Sequence, residues 1–532
     1  MITETIAAGR PRPHEATPPA TTPAHEELAR TRGGLLVCGA LAALTAVSLY
    51  LRLRGFSMHY WVDEGISVGI ARHPLGQIPG LLREDGSPPL YYVLLHLWMR
   101  AFGTTEVATH ALSLLFAALT IPAAFWAGAK LYDRRAGLFC AALAAGAPYL
   151  NTYARETRMY SLMALLSLLV AASFAEAYVN RRRRYVPLFA ISLAGTLYTH
   201  NWALFLALAA AVALAVCANV APRGERRALL LDGAIGFGLA FLLYLPWLPT
   251  VAYQAGHTGA PWDMPPVVWA LSQGAYFLVG GRGAAVALLL AGGSGLFALR
   301  RSPGASDRRL ESIAKCMLVL SLGTMVIAFI YSKTNSAWAP RYLAVVVGPA
   351  LLLFGLGLSR AGRLGLAALA LVALFWILDP VPTRAWSKSD VAEAVAEVRA
   401  QLRPGTLVLS TQPEQVPTLA YYMPAGLRYA TPLGAVADPG VMDWRGALAR
   451  LRRSTAAGVL EPMLDALRPG QRVVLVTPLN LPNAPLYMHL IRRASRQWTA
   501  ALRADGGLRR IGSSSPAGAS GLAVRATVYI RR

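Results

Sequence analysis

Two adjacent carboxylates, Asp63 and Glu64, follow closely on the first long apolar segment, and a pair of arginines, Arg155 and Arg158, stands ahead of a later one. A carboxylate within hydrogen-bond reach of a hydroxyl can take its proton as the oxygen attacks an electrophile. Asp63 is the first candidate for that task and Glu64 the second. Guanidinium groups bind phosphate bidentately and stabilise the charge that develops on a leaving phosphate. Arg155 and Arg158 are three residues apart and share a face if they stand on a helix; with Arg341 and Lys333 they are candidates to bind a phosphate. Trp61, Tyr91, Tyr153 and Trp202 could stack on a ring or hold an apolar chain, and Asp85 and His200 are further candidate contacts. Each has a plainer reading. Acidic pairs beside an apolar segment are commonly solvated surface, arginines at helix ends snorkel to lipid headgroups, a histidine such as His200 caps or packs, and aromatic residues form interfacial belts. Asp63 and Glu64, with Glu84 or Asp85, could chelate a divalent cation, but no spaced His or Cys set accompanies them. No metal or other cofactor is expected.

The elements that must position these groups follow from composition. Of 532 residues, 55% are hydrophobic and only 15% charged, whereas the surface of a soluble protein needs about 25% charge. Lipid must solvate much of the chain. Apolar runs of roughly 20 residues, the length that crosses a bilayer, recur from about residue 34 to about residue 380. They predict about eleven helices, at 34–53, 106–131, 136–152, 157–178, 185–199, 201–220, 228–248, 283–299, 311–331, 341–359 and 364–380. Residues 1–33, rich in Pro, Thr and Ala, predict a disordered tail, and the first apolar segment is long enough to remain as a membrane helix and not as a cleaved signal. The four cysteines all fall in apolar segments and suggest neither a metal set nor a disulfide framework. Beyond about residue 383 apolar runs shorten to a few residues. Helices at 388–402, 455–468 and 485–504 alternate with β-rich runs at 406–410, 472–477 and 524–530, which predicts a water-soluble α/β domain over 383–532. It has no Gly-rich phosphate loop or nucleophile elbow and reads as a stabilising or acceptor-presenting appendage.

Sidedness follows from arginine. Alternate connections carry Arg134 and Arg135, Arg181 to Arg184, Arg223 with Arg226 and Arg227, Arg300 with Arg301, Arg308 and Arg309, and Arg360 with Arg363; Arg30 and Arg32 precede the first helix. Basic connections stay cytoplasmic, so the N-terminus is expected inside and, after an odd number of helices, the C-terminal domain outside. Arg52, Arg54, Arg72, Arg83 and Arg282 break the pattern. The net charge of +24 is then mainly an orientation signal with attraction to anionic lipids, and no nucleic-acid partner is expected. The same topology gathers the long 55–105 connection, the Tyr153–Tyr160 stretch, His200 to Trp202, Lys333 and Arg341 on the outer face. Two amphipathic stretches in that long connection, near 64–73 and 89–102, predict helices lying in the interface plane.

The order of a first membrane helix, a loop with Trp61-Val62-Asp63-Glu64, a Pro88-Pro89-Leu90-Tyr91-Tyr92 segment, and Tyr153-Ala154-Arg155-Glu156-Thr157-Arg158-Met159 at a later outer helix end resembles the GT-C glycosyltransferases. It is most similar to bacterial members of the protein O-mannosyltransferase and aminoarabinose transferase group. The resemblance covers roughly 34–380. Ser87 stands where many relatives have His before the Pro-Pro pair, and Tyr160 where some have Asp after Arg-Met. The resemblance implies a GT-C-like α-helical polytopic membrane protein that transfers a sugar, mannose or another hexose, or a pentose, from a polyprenyl-phosphate donor to a glycan, lipid or protein acceptor with inversion. A transporter or lipid flippase is the alternative. It would place polar groups at the bilayer midplane and show internal repeats, neither of which the sequence displays.

Overall fold

In the first part of the chain, helix follows helix with short connections. The computed structural model describes residues 23–301, 304–378, 388–515 and 522–532; residues 1–22 of the expected tail and the expected domain boundary near 382 lie outside the described residues. Helix α1 (Pro23–Leu53) starts eleven residues before the first predicted span. After it come three short helices, α2 (Val62–Ala71), α3 (Ile78–Asp85) and α4 (Leu90–Phe102), then α5 (Glu106–Leu131), α6 (Arg134–Gly146), α7 (Pro148–Tyr153) and α8 (Tyr160–Phe174).

Among the described residues eight helices are long and apolar enough to cross a membrane: Gly33–Leu53, Glu106–Leu131, Tyr160–Val179, Ala203–Val220, Arg223–His257, Arg282–Arg301, Ala305–Ser332 and Pro340–Arg360. Three further predicted segments appear as shorter helices, Arg134–Gly146, Val186–Leu197 and Arg363–Leu378. The chain is an α-helical polytopic membrane protein. Tyr160–Val179 and Pro340–Arg360 are buried along most of their length and form the centre of the bundle, with α5 and α6 packed around them.

The basic connections meet at one end of this bundle. Arg135 donates to Gly362 O, Arg309 to Asn180 Oδ1, and Arg360 pairs with Asp307 at 3.3 Å. Arginines that broke the charge pattern have protein partners instead: Arg52 donates to Asn151 Oδ1 and Ala144 O, and Arg83 lies 3.8 Å from the Tyr253 ring centroid.

Residues 388–532 carry a six-stranded mixed sheet in the order β3-β2-β1-β4-β6-β5. The strands are β1 (Leu407–Ser410), β2 (Arg428–Thr431), β3 (Gly434–Val436), β4 (Arg472–Pro478), β5 (Leu508–Ser513) and β6 (Val524–Arg531). β1 runs parallel to β2 and β4, and the other pairs are antiparallel. Alternation along β4 sends Val474 and Val476 into one core with Val391, Val395 and Leu419, and Val473 and Leu475 into another with Leu464, Trp498 and Leu502. Both faces are covered, so β1 and β4 read as continuous apolar runs. β2, β3 and β5 escaped sequence reading because they are short or, in β5, polar and bulged between Arg510 and Gly512.

Helix α2 differs from the expected interfacial helix. All its residues except Asp63 are buried, because the C-terminal helix Val416–Tyr422 packs against it. Gly65 and Gly69 permit that approach: a Cβ at residue 65 would overlap Thr418, and one at residue 69 would overlap the carbonyl of Gly440.

Candidate active site

Asp63 and Glu64 start α2 and point to different places. Glu64 is wholly buried. Lys388 Nζ lies 2.9 Å from both of its carboxylate oxygens, His110 Nε2 lies 2.7 Å from Oε1, and the Thr157 amide donates to Oε1 at 2.7 Å. Burial alone would push this carboxyl up, but Lys388 and His110 outweigh it and hold it below the usual carboxylate range. Five hydrogen bonds from four groups, counting the Trp61 amide at 3.4 Å, leave no free lone pair for a substrate proton. The expectation that Glu64 is an alternative base therefore meets a carboxylate already committed to structure.

Asp63 is partly open, with side-chain exposure of 20%. Its Oδ2 lies 3.7 Å from Arg341 Nε. Its backbone carbonyl accepts from Arg158 Nη1 at 3.2 Å, and the same nitrogen donates to Ser67 Oγ at 2.9 Å and to Tyr92 Oη at 3.4 Å. The Nε atoms of both Arg158 and Arg341 are buried with no hydrogen-bond partner among the described residues. Buried donors normally find an acceptor, so these two unmatched donors are an exception within an otherwise hydrogen-bonded cluster.

Asp85 joins this cluster from the C-terminal end of α3. Enclosure pushes its carboxyl up to about 6, opposed by hydrogen bonds from Ser87 and Tyr92 and by the charge of Arg158. Ser87 thus serves Asp85. Tyr160 lies against Arg158, the guanidinium carbon 5.7 Å from its ring centroid. The His200 ring sits 4.6 Å from that of Tyr342, and its Nδ1 accepts from the Trp202 amide. Trp61 is buried under Arg341, 5.7 Å from guanidinium carbon to ring centroid. Tyr153 packs within an aromatic group, tilted against Tyr149 and edge-on to Tyr160.

Three expected residues lie apart from the cluster. Residues 154–159 form a turn between α7 and α8 and not a helix, so Arg155 and Arg158 do not share a face. Arg155 donates instead to Arg54 O and Asn151 O. Lys333 is exposed, with Nζ 5.0 Å from the Phe329 ring centroid on its own helix. Tyr91 is buried, its hydroxyl 3.1 Å from Ser113 Oγ, and packs the wall behind the site. Among the described residues no three His, Cys, Asp or Glu side chains converge to hold a metal ion.

Sequence reading missed Lys388, His110 and Glu414. His110 stands one turn beyond Glu106 on an otherwise apolar helix, a spacing that could have marked it. Glu414, buried in the C-terminal domain, accepts from Tyr487 Oη at 2.6 Å and from Gln412; burial pushes its carboxyl up and the Asp63 charge adds to the rise.

No family model and no curated protein sequence matches the chain. Solved structures do. The aminoarabinose transferase ArnT from Cupriavidus metallidurans in the apo state is 14% identical with a TM-score of 0.58, over 92% of this chain and 98% of that one. The same protein bound to undecaprenyl phosphate gives 0.56 over the same shares at 14% identity. Archaeal oligosaccharyltransferase AglB from Archaeoglobus fulgidus, in complex with an inhibitory peptide and a dolichol-phosphate, gives 0.51 at 12% identity over 91% of this chain and 74% of that one. The fold is that of the GT-C glycosyltransferases, as the motif order implied.

Proposed function

We propose that this protein transfers a glycosyl group from a polyprenyl-phosphate donor to an acceptor hydroxyl on the outer face of the membrane, with Asp63 as general base. The observation that carries this reading is the Asp63 carboxylate 3.7 Å from Arg341, in a cluster where Arg341 and Arg158 each keep a buried donor unspent. The neighbours' bound undecaprenyl phosphate and dolichol-phosphate suggest the same class of lipid here.

In the proposed reaction the acceptor oxygen attacks the anomeric carbon from the face opposite the phosphate as Asp63 takes its proton. The bond from anomeric carbon to phosphate oxygen breaks, and polyprenyl phosphate leaves with the electron pair. Arg158 and Arg341 meet the charge that develops on it. One displacement inverts the anomeric centre. The sugar is a hexose such as mannose, or a pentose, and the acceptor is a glycan, lipid or protein. Arginine bias supports a cytoplasmic N-terminus and an extracytoplasmic C-terminal domain. The transport alternative is less well supported, because Arg158 and Arg341 stand at the ends of the helices Tyr160–Val179 and Pro340–Arg360 and not midway along them.

The test is transfer from synthetic polyprenyl-phosphate sugars by the purified full-length chain in proteoliposomes. Asp63→Asn abolishing turnover while donor lipid still binds supports the proposal; full transfer by that variant refutes it.

A further inference from the structure

We infer that Lys388 is a positioning residue through which the C-terminal domain completes the site. The inference rests on the transferase reading for its effect on rate, but its geometry stands independently. Lys388 precedes the helix Val391–Val398 and is 324 residues from Glu64 in sequence, yet its ammonium is buried with a side-chain exposure of 2%. Its three hydrogens have three acceptors: both oxygens of Glu64 at 2.9 Å and Arg155 O at 2.5 Å.

With those protons spent, His110 Nε2, 3.1 Å from Nζ, has no Lys388 hydrogen left to accept. Its other nitrogen, Nδ1, lies 2.9 Å from Phe56 O, which can only accept, so Nδ1 carries hydrogen. The 2.7 Å contact of Nε2 with Glu64 then needs a second proton between ring and carboxylate. Lysine, histidine and glutamate form a closed set in which Lys388 alone reaches both oxygens of Glu64.

What this set holds is the start of α2. Glu64 is fixed to α5 through His110, to the turn before α8 through the Thr157 amide, and to the C-terminal domain through Lys388. The next residue of that domain continues the grip: Ser389 Oγ donates to Tyr60 O at 2.9 Å, and Tyr422 Oη accepts from the Tyr60 amide at 2.7 Å. Asp63 adjoins this fixed point, and its carbonyl and side chain reach the two arginines only if the first turn of α2 keeps its place. Small errors in placing a reacting group cost large factors in rate. Lys388 touches none of the proposed reacting atoms and acts through Glu64.

The test uses the full-length protein in lipid nanodiscs, comparing Lys388→Met and the double variant Glu64→Gln/Lys388→Met with the parent. Two quantities are read: kcat and KM for transfer, and amide hydrogen exchange of residues 60–67. Lys388→Met is expected to lower kcat about 100-fold with donor KM within about threefold, and to speed exchange in 60–67 while the sheet and membrane helices stay protected. The double variant, which removes both charges, is expected to recover about tenfold of the lost kcat. Unchanged kcat and exchange in a folded Lys388→Met protein overturn the inference. So does faster exchange spread evenly over the whole chain, which marks a merely structural residue. Should Lys388→Met not fold, Ser389→Ala/Tyr422→Phe loosens the same segment without leaving a buried charge; about a tenfold loss of kcat supports the inference and none overturns it. If the parent shows no transfer but Lys388→Met selectively loosens 60–67, the positioning role stands and the transferase reading falls.

Discussion

The two carboxylates at the start of α2 face regions built in opposite ways. On the Glu64 side every polar atom is matched: a lysine, a histidine and two backbone amides converge on one buried group. On the Asp63 side two arginines face two carboxylates, Asp63 and Asp85, and the buried Nε atoms of Arg158 and Arg341 have no hydrogen-bond partner among the described residues. A saturated carboxylate can anchor but cannot readily receive a proton, whereas a cluster whose donors are not all matched is, on the proposed reading, the side that receives the donor phosphate. Neighbouring residues of near-identical chemistry are thereby given different work by their surroundings alone.

The largest effect should come from the under-saturated side. Asp63→Asn is expected to cut transfer about 10³-fold with little change in thermal stability, measured by turnover and by melting in detergent; melting that collapses with activity would erase the contrast with Glu64. Arg341→Ala should follow, with a loss of about 10²-fold in kcat and weaker donor-lipid binding, and normal kinetics would remove Arg341 from the phosphate site. Glu64→Gln should show the reverse profile, destabilising the protein by about 3 kcal/mol, as breaking one side of a buried pair does. Its acid response sharpens the point. A carboxyl held below its ordinary value of 4.5 adds stability above that pH, and this is lost as pH falls through the folded-state value. Glu64→Gln should remove that acid-side loss from melting curves.

Asp85 carries the opposite sign. Its carboxyl is raised from 3.8 to about 6, so the folded state binds more protons between those values and stability declines as pH rises through that window. Asp85→Asn should flatten the decline; an unaltered slope would show that Asp85 is not the group titrating there. Lys333→Ala marks the lower bound, with kcat and donor KM expected within about twofold of the parent, since an exposed lysine contributes little. A large loss there would mean that the phosphate site extends beyond the cluster.

Much of this architecture was legible in the chain. Long apolar runs gave the membrane helices, because lipid leaves backbone groups no other partners than their own helix. Type and spacing point to Asp63, Arg158 and Arg341, and the structure brings them together. The departures have local causes. The three-residue spacing of Arg155 and Arg158 suits a helix, but α7 stops at Tyr153 and the turn that follows sends the two guanidinium groups apart. Lys333 stands at a helix end, where solvent exposure and attachment to a site cannot be told apart from sequence. Nothing local in sequence distinguishes Glu64, a buried carboxylate, from Asp63, an open one. The residue that distinguishes them, Lys388, lies across the whole membrane domain in sequence, and the C-terminal domain that bears it reads as an appendage until its contacts with α2 are seen.

The span between Glu64 and Lys388 also sets an order of events in biosynthesis. A ribosome makes Glu64 early and must add 324 residues before its lysine exists. During that interval the membrane helices can assemble, but the first turn of α2 lacks its final fastening. A nascent chain truncated ahead of residue 388 would be inserted yet incomplete at the one place where its chemistry is proposed to occur, so competence would arrive only with the last part of the polypeptide.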